Sequence, residues 1–168
     1  MVGLGQRSWR ALVSETMPRM PKPWIWKALV AGTCGSAMHS LLMFLKAWMG
    51  LLPSFQPYQS LQEALGNLVG SEVHPFVPWL LSFISGATIV GFVFGLIYRL
   101  LPGKSGATKG LSFGVLAWML MGLLFFPFLH LGLFATGIEL GLAPAIFSLA
   151  MLLTYGVAMG IVYAALDR

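Results

Sequence analysis

His39 is the side chain whose type and position in this sequence most favour chemistry. It lies within a continuous apolar stretch, and on a helix it would share one face with Gly32, Ser36 and Lys46. An ionisable residue inside such a stretch predicts a functional role, as a haem ligand or as a proton or substrate contact. The structural alternative is a neutral imidazole bonded to a hydroxyl or a backbone carbonyl, which costs less than a buried charge. The sequence leaves both interpretations open and predicts no cofactor.

A haem held by two axial ligands requires partners at similar depth. At 1.5 Å per residue, His39 lies roughly 18 Å beyond Lys27, whereas His130 lies roughly 31 Å beyond Lys109. The two histidines are therefore a poor pair for one haem. Met121 corresponds to His39 in the internal repeat described below, so a His/Met pair is the haem alternative, although methionine there is more often a packing residue.

A second group of side chains suited to chemistry lies in or beside the connections between apolar stretches. Its members are Glu72, His74, His130 and Glu139. Two histidines and two carboxylates are suitable zinc ligands. Their spacing matches no metal motif, however, and solvated surface groups explain them equally well. Zinc is an alternative here rather than the prediction.

The acidic residues and the cysteine count disfavour catalysis. No Asp or Glu lies inside an apolar stretch, which argues against a carboxylate relay for coupled transport. The only Asp is Asp167, and no histidine is predicted near it, so a Ser-His-Asp triad is not expected. The single Cys34 cannot form an intramolecular disulfide. We expect a protein without enzymatic activity, although the Glu-His pair in the connections leaves the question open.

The elements that position these residues are four predicted transmembrane helices. Hydrophobic residues make up 58% of the chain and charged residues 9%, which is far from the composition of a soluble domain. Four stretches approach the roughly 20 residues that cross a bilayer. They lie at about 28–50, 77–101, 108–130 and 143–165. Because these stretches are continuously apolar rather than alternating, the predicted fold class is an all-α membrane protein.

The basic residues predict the orientation of the chain. Lys and Arg are concentrated in a tail at 1–24 and beside the connection between the second and third stretches, whereas Lys46 lies toward the other side. The positive-inside rule then places both termini in the cytoplasm and the loop at 51–76 outside. Topology thus explains the net charge of +5, and no nucleic-acid partner is predicted. The transmembrane domain is predicted to cover 25–168.

The outer loop predicts a short amphipathic helix. The sequence "SLQE" at 60–63 resembles a capping box, with Ser60 as the N-cap and Glu63 reaching back to it. Leu61, Leu65 and Leu68 then share one face, and Gly70 is a suitable stop. We expect this helix to lie on the outer leaflet. An irregular loop fixed by its three prolines is the alternative.

The sequence also carries an internal repeat. "GFVFGLIYR" at 91–99 and "GVAMGIVYA" at 156–164 share the pattern GxxxGxxY, and the first and third stretches correspond at a shift of 82 positions, as from Gly32 to Gly114. We interpret this as two parallel helical hairpins related by a pseudo-twofold along the membrane normal. Small residues at four-residue spacing let membrane helices approach closely. The predicted packing residues are Gly32, Ser36, Gly91, Gly95, Gly110, Gly114, Gly156 and Gly160.

Several of these segments together resemble a known family. They are "AGTCGSAMHSLLM", "PFVPWLLSFISGATIVGFVFGLIYRLLPG", "KGLSFGVLAWMLMGLLFFP" and "YGVAMGIVYA". The resemblance, over about 25–168, is to small bacterial four-helix integral membrane proteins with a domain of unknown function. It implies a multi-pass protein of the bacterial inner membrane and assigns no catalytic residue.

Three functional hypotheses follow from the sequence. Abundant packing surface with little polar chemistry favours a non-catalytic accessory or assembly subunit of a larger membrane complex, such as a respiratory or photosynthetic one, with other membrane subunits or a second copy as partners. The alternative is a small-solute or lipid-interacting transporter or channel, in which His39 faces a cavity between the repeats. The third is a redox protein that binds haem or a metal.

Overall fold

The computed structural model describes residues 24–138 and 140–168. Its helices are α1 (Trp24–Trp48), α2 (Pro57–Val69), α3 (Phe76–Ile97), α4 (Gly106–Phe128) and α5 (Ala143–Leu166). All except α2 are long and apolar enough to cross a membrane, which confirms the predicted all-α membrane fold. The predicted basic tail lies outside the described residues apart from Trp24.

The long helices begin and end within a few residues of the predicted stretches. The start of α4 has a clear physical cause, because Ser105 and Thr108 form a reciprocal capping box in which each side chain accepts from the other's backbone N–H. At the start of α5, Pro144 occupies the first turn, where a missing N–H costs no helical hydrogen bond.

The short helix α2 forms as predicted, but its start was predicted wrongly. The helix begins one turn earlier, at Pro57, and no side chain caps it. Ser60 consequently lies inside the helix, where its hydroxyl contacts the Gln56 carbonyl, and Glu63 accepts from Gln59 instead of closing a capping box. Proline is favoured at the first helical position because its φ angle is already helical, and this preference prevails over the capping-box pattern. The predicted stop at Gly70 is confirmed by its left-handed φ of 71°.

The four long helices pack in the order α3, α1, α5, α4. Helices α1 and α3 form one hairpin, α4 and α5 form the other, and the two hairpins meet where α1 packs against α5. We call the two ends of this bundle the α2 end and the Trp24 end.

The two hairpins are built on equivalent glycine contacts. In the first hairpin Gly91 packs against Ala28 and Gly32, and a methyl group on Gly91 would lie 2.8 Å from the Ala28 carbonyl oxygen. In the second hairpin Gly156 packs against Gly110 and Gly114, which are the equivalents of Ala28 and Gly32 at the shift of 82. The other glycine contacts of the two hairpins also correspond. Gly32 packs against Ala87 in the first hairpin, as Gly114 packs against Leu152 in the second. Gly95 packs against Ala28 in the first hairpin, as Gly160 packs against Gly110 in the second. The repeat is thus visible in the packing of the backbones as well as in the sequence.

Two π-helical turns interrupt this regular pattern. One lies at Gly86–Val90 in α3 and the other at Met121–Phe125 in α4. They fall in helices that are not equivalent in the repeat, since α3 corresponds to α5 and α4 to α1. A π turn widens a helix locally and is frequent at functional sites.

Aromatic side chains close the bundle toward the Trp24 end. The rings of Phe94 and Phe113 meet edge to face with centroids 5.0 Å apart, which joins α3 to α4. Tyr98 and Tyr163, which are equivalent in the repeat, lie against each other with centroids 4.4 Å apart. Lys109 adds a cation over the Tyr98 ring, 4.5 Å from its centroid. This half of the bundle therefore has a packed core.

Candidate functional site

A cleft lies between the four long helices in the α2 half of the bundle. It consists of two adjoining cavities of about 250 and 270 Å³ that share His39, Met121 and Phe125 among their walls. Most of the lining surface is apolar, and the polar residues common to both cavities are His39, Ser82 and Ser85. Because α3 and α4 meet chiefly through the Phe94–Phe113 pair near the Trp24 end, the cleft is left open between them.

His39 lies in the wall of this cleft, as its helical face predicted. Its ring contacts Tyr155 edge to face, with centroids 6.4 Å apart. The Tyr155 hydroxyl donates a hydrogen bond of 2.8 Å to the Gly86 carbonyl in the first π turn. This bond joins α5 to α3 across the bundle and holds the tyrosine ring beside His39.

Ser36 lies one turn before His39 and has an unusual environment. Its side chain is buried beside the Tyr155 hydroxyl, and its own hydroxyl oxygen forms no hydrogen bond of normal geometry with the described residues. A buried hydroxyl without a partner is unfavourable by about 1–3 kcal/mol, so such groups are rare and often mark sites completed by water or a ligand. Since Ser36 also lines the cleft, this vacant hydrogen-bonding capacity is near the space that a ligand would fill.

The cleft follows the pseudo-twofold of the repeat. Five equivalent pairs line it: His39 with Met121, Met43 with Phe125, Phe83 with Ser148, Gly86 with Met151, and Val90 with Tyr155. In each pair the side chains differ in size or polarity. The repeat therefore supplies equivalent positions on both sides of the cleft, and the substitutions at these positions make the two sides chemically different.

A family model described as a family of unknown function, DUF6789, matches residues 24–168. The chain belongs to this family. No curated protein and no solved structure matches the chain. The match covers the whole four-helix domain from Trp24 onward. Because the family has no known function, the activity has to be inferred from the site.

In this DUF6789 chain, α2 covers the cleft at the α2 end of the bundle. Pro57, Tyr58 and Leu61 contribute to the cavity wall, and Leu61 packs with Phe55 against the end of α4. The amphipathic face predicted for α2 is thus divided, because Leu61 faces the cleft whereas Leu68 is 73% exposed. Burial raises the pKa of the Tyr58 hydroxyl, so Tyr58 stays a neutral hydrogen-bond donor at this end.

A third pocket adjoins the cleft around Lys46. It measures about 460 Å³, and Ser40, Met43 and Tyr58 are common to this pocket and the cleft walls. Lys46 is buried, and its ammonium donates to the Phe55 carbonyl at 2.6 Å. The ion pair found among the described residues joins Lys27 to Asp167. No described carboxylate therefore forms an ion pair with Lys46. Glu63 and Glu72 in particular do not pair with Lys46 in the structure.

The outer His/Glu group does not assemble in the described part of the chain. His74 accepts a hydrogen bond from the Phe76 N–H beside the start of α3, and His130 is an exposed residue with a φ of 58° after α4. Within residues 24–138 and 140–168, no three His, Cys, Asp or Glu side chains are grouped as a metal site requires. Glu139 lies outside the described residues, so the zinc alternative stays a prediction that now depends on that residue.

The haem alternative keeps a structural basis in one respect. His39 and Met121 line the same cleft, whereas His130 lies beyond the end of α4. Haem binding at His39 stays a prediction, and an optical spectrum of the purified protein would test it through the presence of a Soret band.

The sequence interpretation missed several residues that shape the cleft. Tyr155, Ser82 and Ser85 gave no signal, because single aromatic or hydroxyl residues are common in membrane helices. The two π turns also lack a sequence signature. Lys46 could have been found, since a lysine inside an apolar stretch is costly and often functional.

Proposed function

We propose that this DUF6789 protein binds an amphipathic, lipid-like molecule in the cleft beside His39. The observation that supports the proposal most directly is the cleft itself, which lies among four apolar helices and has mainly apolar walls with a few polar groups. Pockets of this kind, apolar with a few convergent polar groups, are typical of small-molecule sites. A ligand that already resides in the bilayer would match both the walls and the location.

The route of entry follows from the packing of the helices. The aromatic core closes the bundle toward the Trp24 end, and α2 covers the opposite end. The gap between α3 and α4 is then an opening on the side of the bundle that faces the hydrocarbon of the membrane. A ligand with an alkyl chain could enter sideways without leaving the bilayer.

Titration with a fluorescent fatty-acid analogue tests the proposal. Val90 lines the cleft on α3, and Val90→Tyr would introduce there the ring that Tyr155 places at the equivalent position. We expect this variant to weaken binding by about tenfold or more, because the added ring occupies the ligand's volume. The measurement is the binding isotherm of the purified chain in mild detergent.

Val93→Tyr is the matched control for this experiment. Val93 lies on the same helix, but its side chain is 43% exposed on the outer surface of the bundle. The control should bind the analogue as the parent chain does. Equal losses in both variants, or no saturable binding by the parent chain, would contradict the proposal.

Transport is a further step that the proposal leaves to experiment. Passage across the membrane would require the rings of Phe94, Phe113, Tyr98 and Tyr163 to separate, because they fill the path beyond the cleft. Lipid or solute movement in reconstituted vesicles, compared with that of His39→Leu, distinguishes a transporter from a binding protein. Movement that depends on His39 would establish transport.

The assembly-subunit hypothesis stays a prediction, but fewer surfaces of the chain now support it. Its main motivation was the rows of small residues, but Gly91, Gly95, Gly156 and Gly160 all pack against the neighbouring helix of their own hairpin. Those faces are therefore occupied within the chain. Purification in mild detergent would support this hypothesis if partner chains were recovered in a fixed ratio.

We also propose that the membrane is the bacterial inner membrane and that the Trp24 end faces the cytoplasm. Lys27, Lys104 and Lys109 lie toward that end, whereas Lys46 lies near the α2 end, in accord with the positive-inside rule. Single cysteines placed at 71 and 104 in a Cys34→Ser background test the orientation. A membrane-impermeant thiol reagent added to intact cells should label position 71 and leave position 104 unmodified.

A further inference from the structure

The pocket around Lys46 suggests which class of amphiphile the cleft accepts. Lys46 is 6% exposed, so its ammonium has lost most of its hydration. An ammonium has three donors, and the partners found for this one are the Phe55 carbonyl, through a hydrogen bond, and the Phe55 ring, whose centroid is 5.8 Å from the nitrogen. Burying a cation with so few partners is costly unless an anion neutralises it.

The surroundings of Lys46 provide further polar groups but no described carboxylate partner. Gln56, Gln59 and Tyr58 line the same pocket. The Gln56 amide donates to the Pro53 carbonyl, and the Gln59 amide donates to Glu63 at 3.3 Å. Each side-chain amide has a second N–H, so the pocket can offer several donors together with the ammonium. This combination suits the oxygen atoms of a phosphate or carboxylate group.

The position of the pocket connects this anion site with the cleft. Lys46 lies in the last turn of α1, near the α2 end, at the level expected for a membrane interface. Ser40, Met43 and Tyr58 form walls common to the Lys46 pocket and the cleft, which continues from there toward His39 and the buried Ser36 hydroxyl. A molecule with a charged headgroup and an apolar chain could therefore place the headgroup on Lys46 and the chain in the cleft.

We infer that the site takes an anionic single-chain amphiphile, with its phosphate or carboxylate group on Lys46 and its alkyl chain in the cleft beside His39. This inference rests on the proposed function, because it specifies the ligand of the same cleft. A neutral amphiphile would fill the cleft equally well but would leave the ammonium unpaired. A zwitterionic amphiphile would bring a cation of its own beside Lys46 together with its phosphate, so the net charge of the site would not be neutralised.

Native mass spectrometry of the full chain in nonionic detergent tests this inference with two probes. They are lysophosphatidylglycerol and lysophosphatidylcholine with the same acyl chain, so that the net charge and headgroup differ while the tail is constant. We expect the anionic probe to bind about tenfold more tightly, because both probes carry a phosphate but the choline cation of lysophosphatidylcholine is repelled by the Lys46 ammonium. Inorganic phosphate alone should bind far more weakly than either lipid.

Two substitutions at Lys46 assign the preference to its charge. Lys46→Gln should lower the affinity for lysophosphatidylglycerol to that for lysophosphatidylcholine, whereas Lys46→Arg should retain the preference. Equal affinities in the parent chain, or a preference that survives Lys46→Gln, would overturn the inference while leaving the cleft as a binding site. Failure of both lipids to bind would instead refute the proposed function. Circular dichroism and gel filtration show whether each variant is folded.

Two further outcomes would also overturn the inference. If inorganic phosphate bound as tightly as the lipid, the pocket would be an anion site that makes no use of the cleft. If the preference for the anionic lipid appeared only in Glu139→Gln, Lys46 would be neutralised by an acid of its own chain. The inference requires the preference in the parent chain and its independence from Glu139.

Discussion

The α1/α5 and α3/α4 interfaces occupy equivalent positions in the repeat but differ in how closely they pack. At the α1/α5 interface Gly35 lies against the ring of Tyr155, so close that a methyl group on Gly35 would be 2.8 Å from a ring carbon. The equivalent residues at the α3/α4 interface are Ala117 and Val90, and both line the open cleft. One interface has a glycine in contact with a large ring. The other has an alanine and a valine, which do not fill the space between α3 and α4.

This difference explains how a duplicated scaffold can hold a site. The glycine contacts within each hairpin are the same, so the hairpins themselves are not the source of the asymmetry. The two π turns lie in α3 and α4, which are the helices of the open interface. We conclude that side-chain volume and local helix widening open one interface, while Gly35 and Tyr155 close the other.

Tyr155→Val is the substitution from which we expect the largest change in stability, because it removes the difference between the two interfaces. The substitution places at the closed interface the residue found at the open one, and the 4% exposed tyrosine ring would leave a void against Gly35. We expect a loss of about 3 kcal/mol in the free energy of unfolding, typical of large-to-small changes in a packed core. Denaturation in detergent measures the effect. Val90→Ala, at the equivalent open position, should cost much less, and equal losses would show that the two interfaces do not differ in packing.

Gly35→Leu and Ala117→Leu form a second matched pair. Leucine at 35 would collide with the Tyr155 ring, which is held by its hydrogen bond to Gly86, and should cost about 2 kcal/mol of stability through overpacking. Leucine at 117 would extend into the cleft, so it should leave stability nearly unchanged and weaken binding of the fatty-acid analogue. Stability measured by denaturation and affinity measured by titration separate the two outcomes. A stable Gly35→Leu variant would mean that α1 and α5 can move apart.

The scaffold was more predictable from sequence than the site. Continuous apolar stretches define the helices, and the glycine spacing defines the contacts within each hairpin, because both depend on residues close together in the chain. Gly32, Gly91, Gly110 and Gly156 pack as predicted for this reason. His39 was recognised because an ionisable side chain in an apolar stretch is unusual.

The shape of the cleft depends on long-range contacts that local sequence patterns do not contain. Tyr155 reaches the Gly86 carbonyl 69 positions away, and this contact involves a π turn that no motif marks. The start of α2 was mispredicted because two local preferences, Pro57 and the Ser60 capping box, compete within a few residues. The equivalence of Val90 and Tyr155 could be read from the repeat, but the consequence of their different volumes required the packed helices.

Tyr155→Phe sharpens the comparison by testing the link between the two interfaces. The change keeps the ring against Gly35 and removes only the 2.8 Å hydrogen bond to the Gly86 carbonyl. We expect a loss of about 1 kcal/mol in the free energy of unfolding, as is usual for a single buried hydrogen bond. Hydrogen exchange should also become faster at the Gly86–Val90 turn. Unchanged stability and exchange would show that the hydroxyl does not support the π turn.

Ser36→Ala has the smallest expected effect and the most specific interpretation. Ser36 and Ser148 are both 3% exposed and both line the cleft, but only Ser148 has described partners, since it donates to the Ala145 carbonyl and accepts from the Trp118 indole N–H. Ser148→Ala should therefore cost about 1 kcal/mol of stability, whereas Ser36→Ala should leave the stability unchanged or raise it slightly, because no hydrogen bond is lost and an unpaired buried hydroxyl is removed. Denaturation of delipidated protein provides the comparison. The same measurement before delipidation tests whether a ligand is bound. If Ser36→Ala then lowers the free energy of unfolding as much as Ser148→Ala does, and does so only before delipidation, the Ser36 hydroxyl bonds a molecule that purifies with the chain. The open interface would then be occupied in the membrane.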